Sequence, residues 1–246
     1  MRVAALYDIH GNLPALEAVL RDIAQAQVDL IVIGGDVVAG PMPRETLACL
    51  TDLSLPVHFI QGNADREVVA QMAGTEAGAV PAHVIEIMRW VAKQLHPDQG
   101  RWIADWPATF STEIDGLGEV LFCHATPRSD TQVFTRLTPE ARLLPIFEGL
   151  SAGLVVCGHT HMHFDRIIGK TRVVNAGSVG MPYGAPGADW LLLGAGVHFM
   201  HTLYDGVQAA ELIRATGYPQ AQEFAATNIL QPPSEAEALA VLTQME

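Results

Sequence analysis

Three features of the sequence predict an α/β fold built on a largely parallel sheet. Short apolar runs alternate with helix-patterned stretches through the first 60 residues. The runs are rich in Val, Ile and Leu and are too short to be helices. Several of them end in Gly together with Asp, Asn or His, which is how chains leave a sheet toward a site at its carboxyl edge.

Taken in order, Arg2–Tyr7 is expected as a buried strand that ends in Asp8-Ile9-His10-Gly11-Asn12. A helix should follow from Leu13 to Gln27, with Asn12 as N-cap, Pro14 in the first turn and Leu16, Val19, Leu20 and Ile23 as its apolar stripe. Asp29–Ile33 is a second strand ending in Gly34-Gly35-Asp36, and Pro43–Asp52 a short helix. Val57–Ile60 is a third strand, ending in Gln61-Gly62-Asn63-Ala64-Asp65. Strand–helix alternation of this kind implies right-handed parallel crossovers.

From Arg66 to Pro107 the pattern turns helical, with Val84, Ile87, Met88, Val91 and Leu95 on one face. A helical insertion at about 66–107 is expected to border the site; its Trp90 and Trp102 are candidates for helix packing before base stacking. Thr109–Ile114 and Glu119–Phe122 form a strand pair ending in Cys123-His124, and a helix is expected near Pro139–Leu150. Leu154–Cys157 is a buried strand that breaks at Gly158 into His159-Thr160-His161. If that segment stays extended, residues i and i+2 share a side and both imidazoles enter one space. Phe164–Ile168 and Arg172–Val174 flank a hairpin turn at Gly169-Lys170, and strands Trp190–Leu193 and Val197–Leu203 follow. A helical tail at about 219–246 completes a single domain, with a capping box at Ser234 and Glu237.

Composition narrows the function. Half of the 246 residues are apolar, against extended disorder, and no apolar run is long enough to span a bilayer. The formal net charge of −13 repels an extended nucleic acid, yet a small phosphorylated ligand is compatible if a local cation neutralises it. Cys49, Cys123 and Cys157 show no paired spacing. With a strand starting at Arg2, this leads us to expect a reduced, cytoplasmic chain with no membrane contact. Gly169-Lys170-Thr171 is not a phosphate loop, because Phe164 stands where that motif needs its first glycine.

The strand ends thus carry Asp8, His10, Asp36, Asn63, His124, His159 and His161. Singly, the carboxylates and Asn63 could be turn caps and His10 a surface ring; seven such coincidences at strand ends are much harder to accept. The ordered blocks Asp8-x-His10, Gly35-Asp36, Gly62-Asn63, His124 and Gly158-His159-x-His161 resemble the calcineurin-like metallophosphoesterases. Asp8–Leu16 and Asn175-Ala176-Gly177-Ser178-Val179-Gly180 are similar to a small bacterial branch, some of whose members act on dinucleoside polyphosphates. The resemblance implies a four-layer α/β/β/α sandwich of two mixed sheets. It also implies two divalent metals: Asp8, His10 and His161 on one, Asn63, His124 and His159 on the other, and Asp36 bridging. Chemistry asks for the same arrangement, two ions about 4 Å apart sharing a carboxylate and a water activated as hydroxide. Mixed nitrogen and oxygen ligands favour Mn, Fe, Zn, Co or Ni over Ca.

The pattern departs in two places. Many relatives have a histidine after the Gly-Asn pair, a proton donor to the leaving group; here it is Ala64. Where close relatives often carry arginine after Gly180, this chain reads Met181-Pro182-Tyr183. Candidate substrate contacts are therefore Asn12, Arg66, Tyr183 and, as a substitute acid, His163. The expected activity is a two-metal phosphohydrolase acting on phosphoanhydrides or activated phosphoesters, with His124, Asp36 and Asn63 at the reacting phosphate. A nucleotide such as a dinucleoside polyphosphate is one candidate substrate. A broad phosphomonoesterase or phosphodiesterase, and a non-catalytic scaffold, are the alternatives.

Overall fold

The computed structural model describes residues 1–75 and 81–246; positions 76–80, inside the expected helical segment, lie outside them. Its elements in the amino-terminal half are β1 (Val3–Leu6), α1 (Leu13–Ala26), β2 (Leu30–Ile33), α2 (Pro43–Thr51), β3 (Val57–Phe59), α3 (Asn63–Met72), α4 (Ala82–Gln94) and α5 (Pro97–Ala104). Then come β4 (Thr109–Ile114), β5 (Gly118–Cys123), α6 (Glu140–Phe147), β6 (Leu154–Cys157), β7 (Phe164–Ile168) and β8 (Thr171–Asn175). The chain closes with β9 (Ala188–Leu193), β10 (Val197–Thr202), α7 (Gly206–Arg214), α8 (Ala221–Phe224), a π-helical turn at Ala225–Leu230 and α9 (Glu235–Leu242).

The strands form two five-stranded sheets, ordered β10-β9-β1-β2-β3 and β4-β5-β6-β8-β7. Alternation along each strand explains how they stack. In β1, Val3 and Ala5, followed by Tyr7, face a core shared with Val120, Phe122, Leu154 and Val156 of the second sheet. Ala4 and Leu6 face the other way, onto Leu16, Val19 and Ile23 of α1 and Leu47 and Leu50 of α2. Val155 and Cys157 of β6 meet Leu143, Ile146 and Phe147 of α6 on the outer face of the second sheet. Both faces of the central strands are covered, so they read as unbroken apolar runs. The result is helices, sheet, sheet, helix.

The sheets are mixed rather than largely parallel. β1–β2–β3 and β5–β6–β8 pair in parallel, whereas β9, β10, β4 and β7 pair antiparallel. The connections β4–β5, β7–β8 and β9–β10 are only a few residues long, and a tight turn can join only antiparallel neighbours. Helix α7 is an addition to the sequence expectation; Asp205 caps it by accepting from the Gln208 amide at 2.9 Å. Ser234 and Glu237 form the expected capping box on α9. Trp102 meets Phe59 and Trp106 edge-on, and Trp90 meets Tyr218, so both serve helix packing. The three cysteines are free thiols. No described helix is long and apolar enough to cross a membrane.

Candidate metal centre

The carboxyl ends of β1, β2, β3, β5 and β6 converge at one edge of the sandwich. Backbone hydrogen bonds lace the emerging loops together: Asp8 N–H to Gly35 O at 3.1 Å, His10 N–H to Asp36 O at 2.8 Å, and Gly158 N–H to His124 O at 2.8 Å. The 178–181 loop joins them through Val179 N–H to Tyr7 O and Gly180 N–H to Asp8 O.

The local backbone is strained where the chemistry lies. Asp8, His10, Asp36, His159 and His161 all have positive φ, between 48° and 66°. For a non-glycine residue that conformation costs about 1–2 kcal/mol, and it persists where surrounding bonds over-determine it. This corrects the expected route by which His159 and His161 meet. They lie beyond the end of β6 in left-handed backbone, not on one side of an extended strand, and the turns aim their rings.

Two groups of side chains result, Asp8 with His10 and His161, and Asp36 with His124 and His159. His161 Nε2 is 3.3 Å and His10 Nε2 3.9 Å from Asp8 Oδ1. Asp36 Oδ2 lies between the groups, 3.5 Å from His124 Nε2 and 3.8 Å from His10 Nε2. Asn63 closes the second group, its cluster-facing amide atom 3.0 Å from His124 Nε2 and 2.9 Å from His159 Nδ1.

These groups fit cations. His10, His124 and His161 each direct Nδ1 at a backbone carbonyl, of Ala39, Gly34 and Met181, at 3.1, 2.9 and 3.0 Å. A carbonyl only accepts, so Nδ1 carries a proton in each ring and Nε2 is the nitrogen turned to the centre, its lone pair available to a cation once the ring is neutral. Asp8 Oδ1 is buried and accepts no hydrogen bond among the described residues. The cluster-facing amide atom of Asn63 meets His124, His159 and the Asp130 carbonyl, while its other amide atom lies 3.2 Å from the Ala64 N–H. Such a ring of lone pairs is stable around positive charge.

Electrostatics agree. Burial alone would raise Asp8 and Asp36, but His161 beside the first and His124 beside the second hold both below the usual carboxylate range. Burial would lower His124, yet Asp36 and Asp8 push it up to about 10. His159, buried and next to His124, falls to about 4. Gly62 is required by contact: a side chain there would run into the Asp36 carboxylate and backbone.

The other expected site residues fall differently. Asn12 is fully buried and occupied: Oδ1 caps α1 at Ala15 N, and Nδ2 donates to Gly180 O at 2.9 Å. Its side chain braces these loops against one another. His163 is not brought to the cluster. Its Nε2 bonds the Ala176 carbonyl at 2.8 Å and its ring lies edge-on to Phe199, because the turns at 159 and 161 break the expected alternation. Tyr183 stands near the cluster, 6.0 Å from the His161 ring, against the α9 residues Ala238, Leu239 and Leu242. Arg66 pairs with Asp130 through two bonds at 2.7 and 3.1 Å.

Two supporting residues were not picked out from sequence. Asp65 accepts from Val37 and Val38 N–H at 2.9 and 3.1 Å and from Gly62 N–H at 3.2 Å, tying the Asp36 and Asn63 loops. Burial and nearby Asp36 push its carboxyl up to about 7 against those donors. Ser178 donates to Asp8 O at 2.7 Å and accepts from Met181 N–H at 2.8 Å, which sets the carbonyl that orients His161. The signals were present, an acidic residue in the first turn after Gly62 and the 175–180 motif, but not the partners.

Two stacked mixed sheets with a histidine–carboxylate cluster at their strand ends define a metallophosphoesterase-like fold. A metallophosphoesterase from Sphaerobacter thermophilus superposes with a TM-score of 0.69 at 24% identity, covering 93% of this chain and 100% of that one. A hypothetical protein from Pyrococcus horikoshii superposes with a TM-score of 0.81 at 20% identity, covering 95% and 99%. An uncharacterized protein of Methanocaldococcus jannaschii is 27% identical over 197 residues, 73% of this chain and 76% of that protein. Residues 1–194 match the model of the calcineurin-like phosphoesterase superfamily domain, and the chain belongs to that superfamily.

Proposed function

We propose that the protein is a phosphohydrolase dependent on two divalent transition-metal ions, acting on phosphoanhydrides or activated phosphoesters of small molecules. The observation that carries this is the placement of Asp36 Oδ2 within 4 Å of both His10 and His124, one from each candidate group. Asp8, His10 and His161 would hold one ion, Asn63, His124 and His159 the other, and Asp36 would serve both. The chemistry such ions supply is neutralisation of phosphoryl charge and activation of water at neutral pH.

The chain's own residues set the rest. The Nδ1 bonds of His10, His124 and His161 fix their rings before substrate arrives, so little reorganisation remains at the moment of reaction. Ala64 offers no proton beside this cluster; its amide N–H is spent on Asp36 Oδ1 at 2.8 Å. A leaving group must therefore depart as a stable anion, which suits a nucleotide leaving from an anhydride, a dinucleoside polyphosphate among them.

The test is metal analysis of the purified protein together with a panel of phosphorylated substrates assayed with Mn, Fe, Zn, Co and Ni. Metal-dependent hydrolysis that favours anhydrides supports the reading. Metal binding without turnover of any of them would point to a scaffold instead.

A further inference from the structure

Beside His124 the surface opens into a cavity of about 260 Å³, lined in part by residues 126–130. His124 of the candidate metal cluster lines it, together with the polar residues Gln61, Thr126 and Ser129. Arg66 and Arg128 line it as well. In a chain of net charge −13, two arginines against one carboxylate, Asp130, in the same wall leave a local excess of positive charge.

The two arginines are in different states. Arg66 is held by Asp130, also in the wall, so that carboxylate is neutralised and does not repel an anion. Arg128 is exposed, and its side chain makes no hydrogen bond or ion pair among the described residues. Its backbone is nonetheless fixed. Thr126 N–H donates to Ser129 O at 2.9 Å, and Thr126 Oγ1 accepts from the amides of Arg128 and Ser129 at 3.4 and 3.1 Å. The Asp130 carbonyl faces Asn63 at 3.1 Å, which seats this turn against the second group of candidate ligands. The braced turn thus places Arg128, whose side chain has no partner among the described residues, in the wall of a cavity that His124 of the cluster also lines. An arginine's planar fork matches the oxygens of a phosphate.

We infer that this cavity is a subsite for a second phosphate of the substrate, with Arg128 as its clamp. The substrate class is then a molecule with another phosphoryl group beside the one cleaved, such as a nucleoside diphosphate or longer polyphosphate. The inference rests on the phosphohydrolase reading above but makes a separate demand on a residue that holds no metal.

The test compares Arg128→Ala and Arg128→Lys with the unmodified, manganese-loaded protein, using ADP and p-nitrophenyl phosphate. Losing a charge-assisted contact should lower kcat/KM for ADP about ten- to a hundredfold more than for p-nitrophenyl phosphate, with partial recovery in the lysine variant. Equal losses on both substrates, or none on either, would overturn the subsite. If the unmodified protein hydrolyses neither compound, the phosphohydrolase reading stands or falls on the wider substrate panel. Calorimetric binding of methylenediphosphonate and methylphosphonate to the same proteins then decides the subsite. It stands if Arg128→Ala weakens the bisphosphonate selectively by about tenfold, and is overturned if the two ligands are affected alike.

Discussion

His10 Nε2 and His161 Nε2 lie 3.2 Å apart, although each ring already uses its other nitrogen on a backbone carbonyl. Two lone pairs at that distance repel unless a cation or a proton is shared between them. With Asp8 Oδ1 unpartnered beside them, a divalent ion is the expected occupant.

Metal content should reveal the two groups separately. The unmodified protein is expected to bind two equivalents of Mn or a related metal. Asp36→Asn should weaken both, because its Oδ2 faces both groups, whereas His161→Ala should chiefly empty one. Elemental analysis after dialysis gives the answer directly. Equal depletion in the two variants would contradict the assignment of Asp36 to both ions.

Metal uptake should strengthen with rising pH. His124 in the free protein is pushed up to about 10, mainly by Asp36 working against burial, so at neutral pH it carries a proton. A ligand nitrogen must lose that proton, and each proton expelled makes apparent affinity rise about tenfold per pH unit below that value. Calorimetric titrations in buffers of different ionisation enthalpy count the protons released. A metal affinity that stays flat across the neutral range would show that His124 enters no coordination.

Gly62→Ala probes steric room rather than backbone freedom. With φ −91° and ψ 170°, alanine adopts this backbone readily, so the effect comes from its methyl group meeting Asp36. Overpacking of this kind costs about 1–3 kcal/mol, and here it should also displace a metal ligand. Gly74→Ala is the control: its φ of 73° strains alanine, but open space surrounds it. Thermal unfolding should show both variants destabilised, and metal analysis only the first depleted.

Apolar runs ending in Asp, Asn or His displayed both the α/β class and the seven cluster residues, because strand ends and their turn chemistry are local properties of a chain. What stayed hidden depends on contacts that form only on folding. Asp65 meets Val37 across 28 residues, and Ser178 meets Asp8 across 170. The left-handed backbone at His159 and His161 was illegible for the same reason, since one of the bonds that hold it is His159 N–H to Asp8 Oδ2 at 2.8 Å. Asn12 was legible as a cap but not as a tether to Gly180. The mixed sheets follow from short connections whose partners are chosen by the whole sandwich.

The last prediction concerns Ala64, which is 5% exposed at the start of α3, next to Asn63. No side chain there can protonate a departing oxygen, and general acid help is typically worth about 10²–10⁴-fold. A nucleotide or p-nitrophenolate leaves as a stabilised anion and scarcely needs that help, whereas an alkoxide does. Dinucleoside polyphosphates and p-nitrophenyl esters should therefore be hydrolysed much faster than glycerol phosphate or a simple alkyl diester. Ala64→His should narrow the gap by raising kcat/KM on the alkyl esters and leaving the anhydrides nearly unchanged. The position is buried, so the ring must displace neighbours at about 1–3 kcal/mol, and the comparison requires variants matched in metal content. His163→Ala should leave the ratio where it is, since that ring is turned onto Ala176 and Phe199. Equal rates on alkyl and activated substrates in the unmodified protein would show that proton transfer to the leaving group does not limit turnover, or that a group other than residue 64 performs it. A shift of the ratio in His163→Ala would then identify that group.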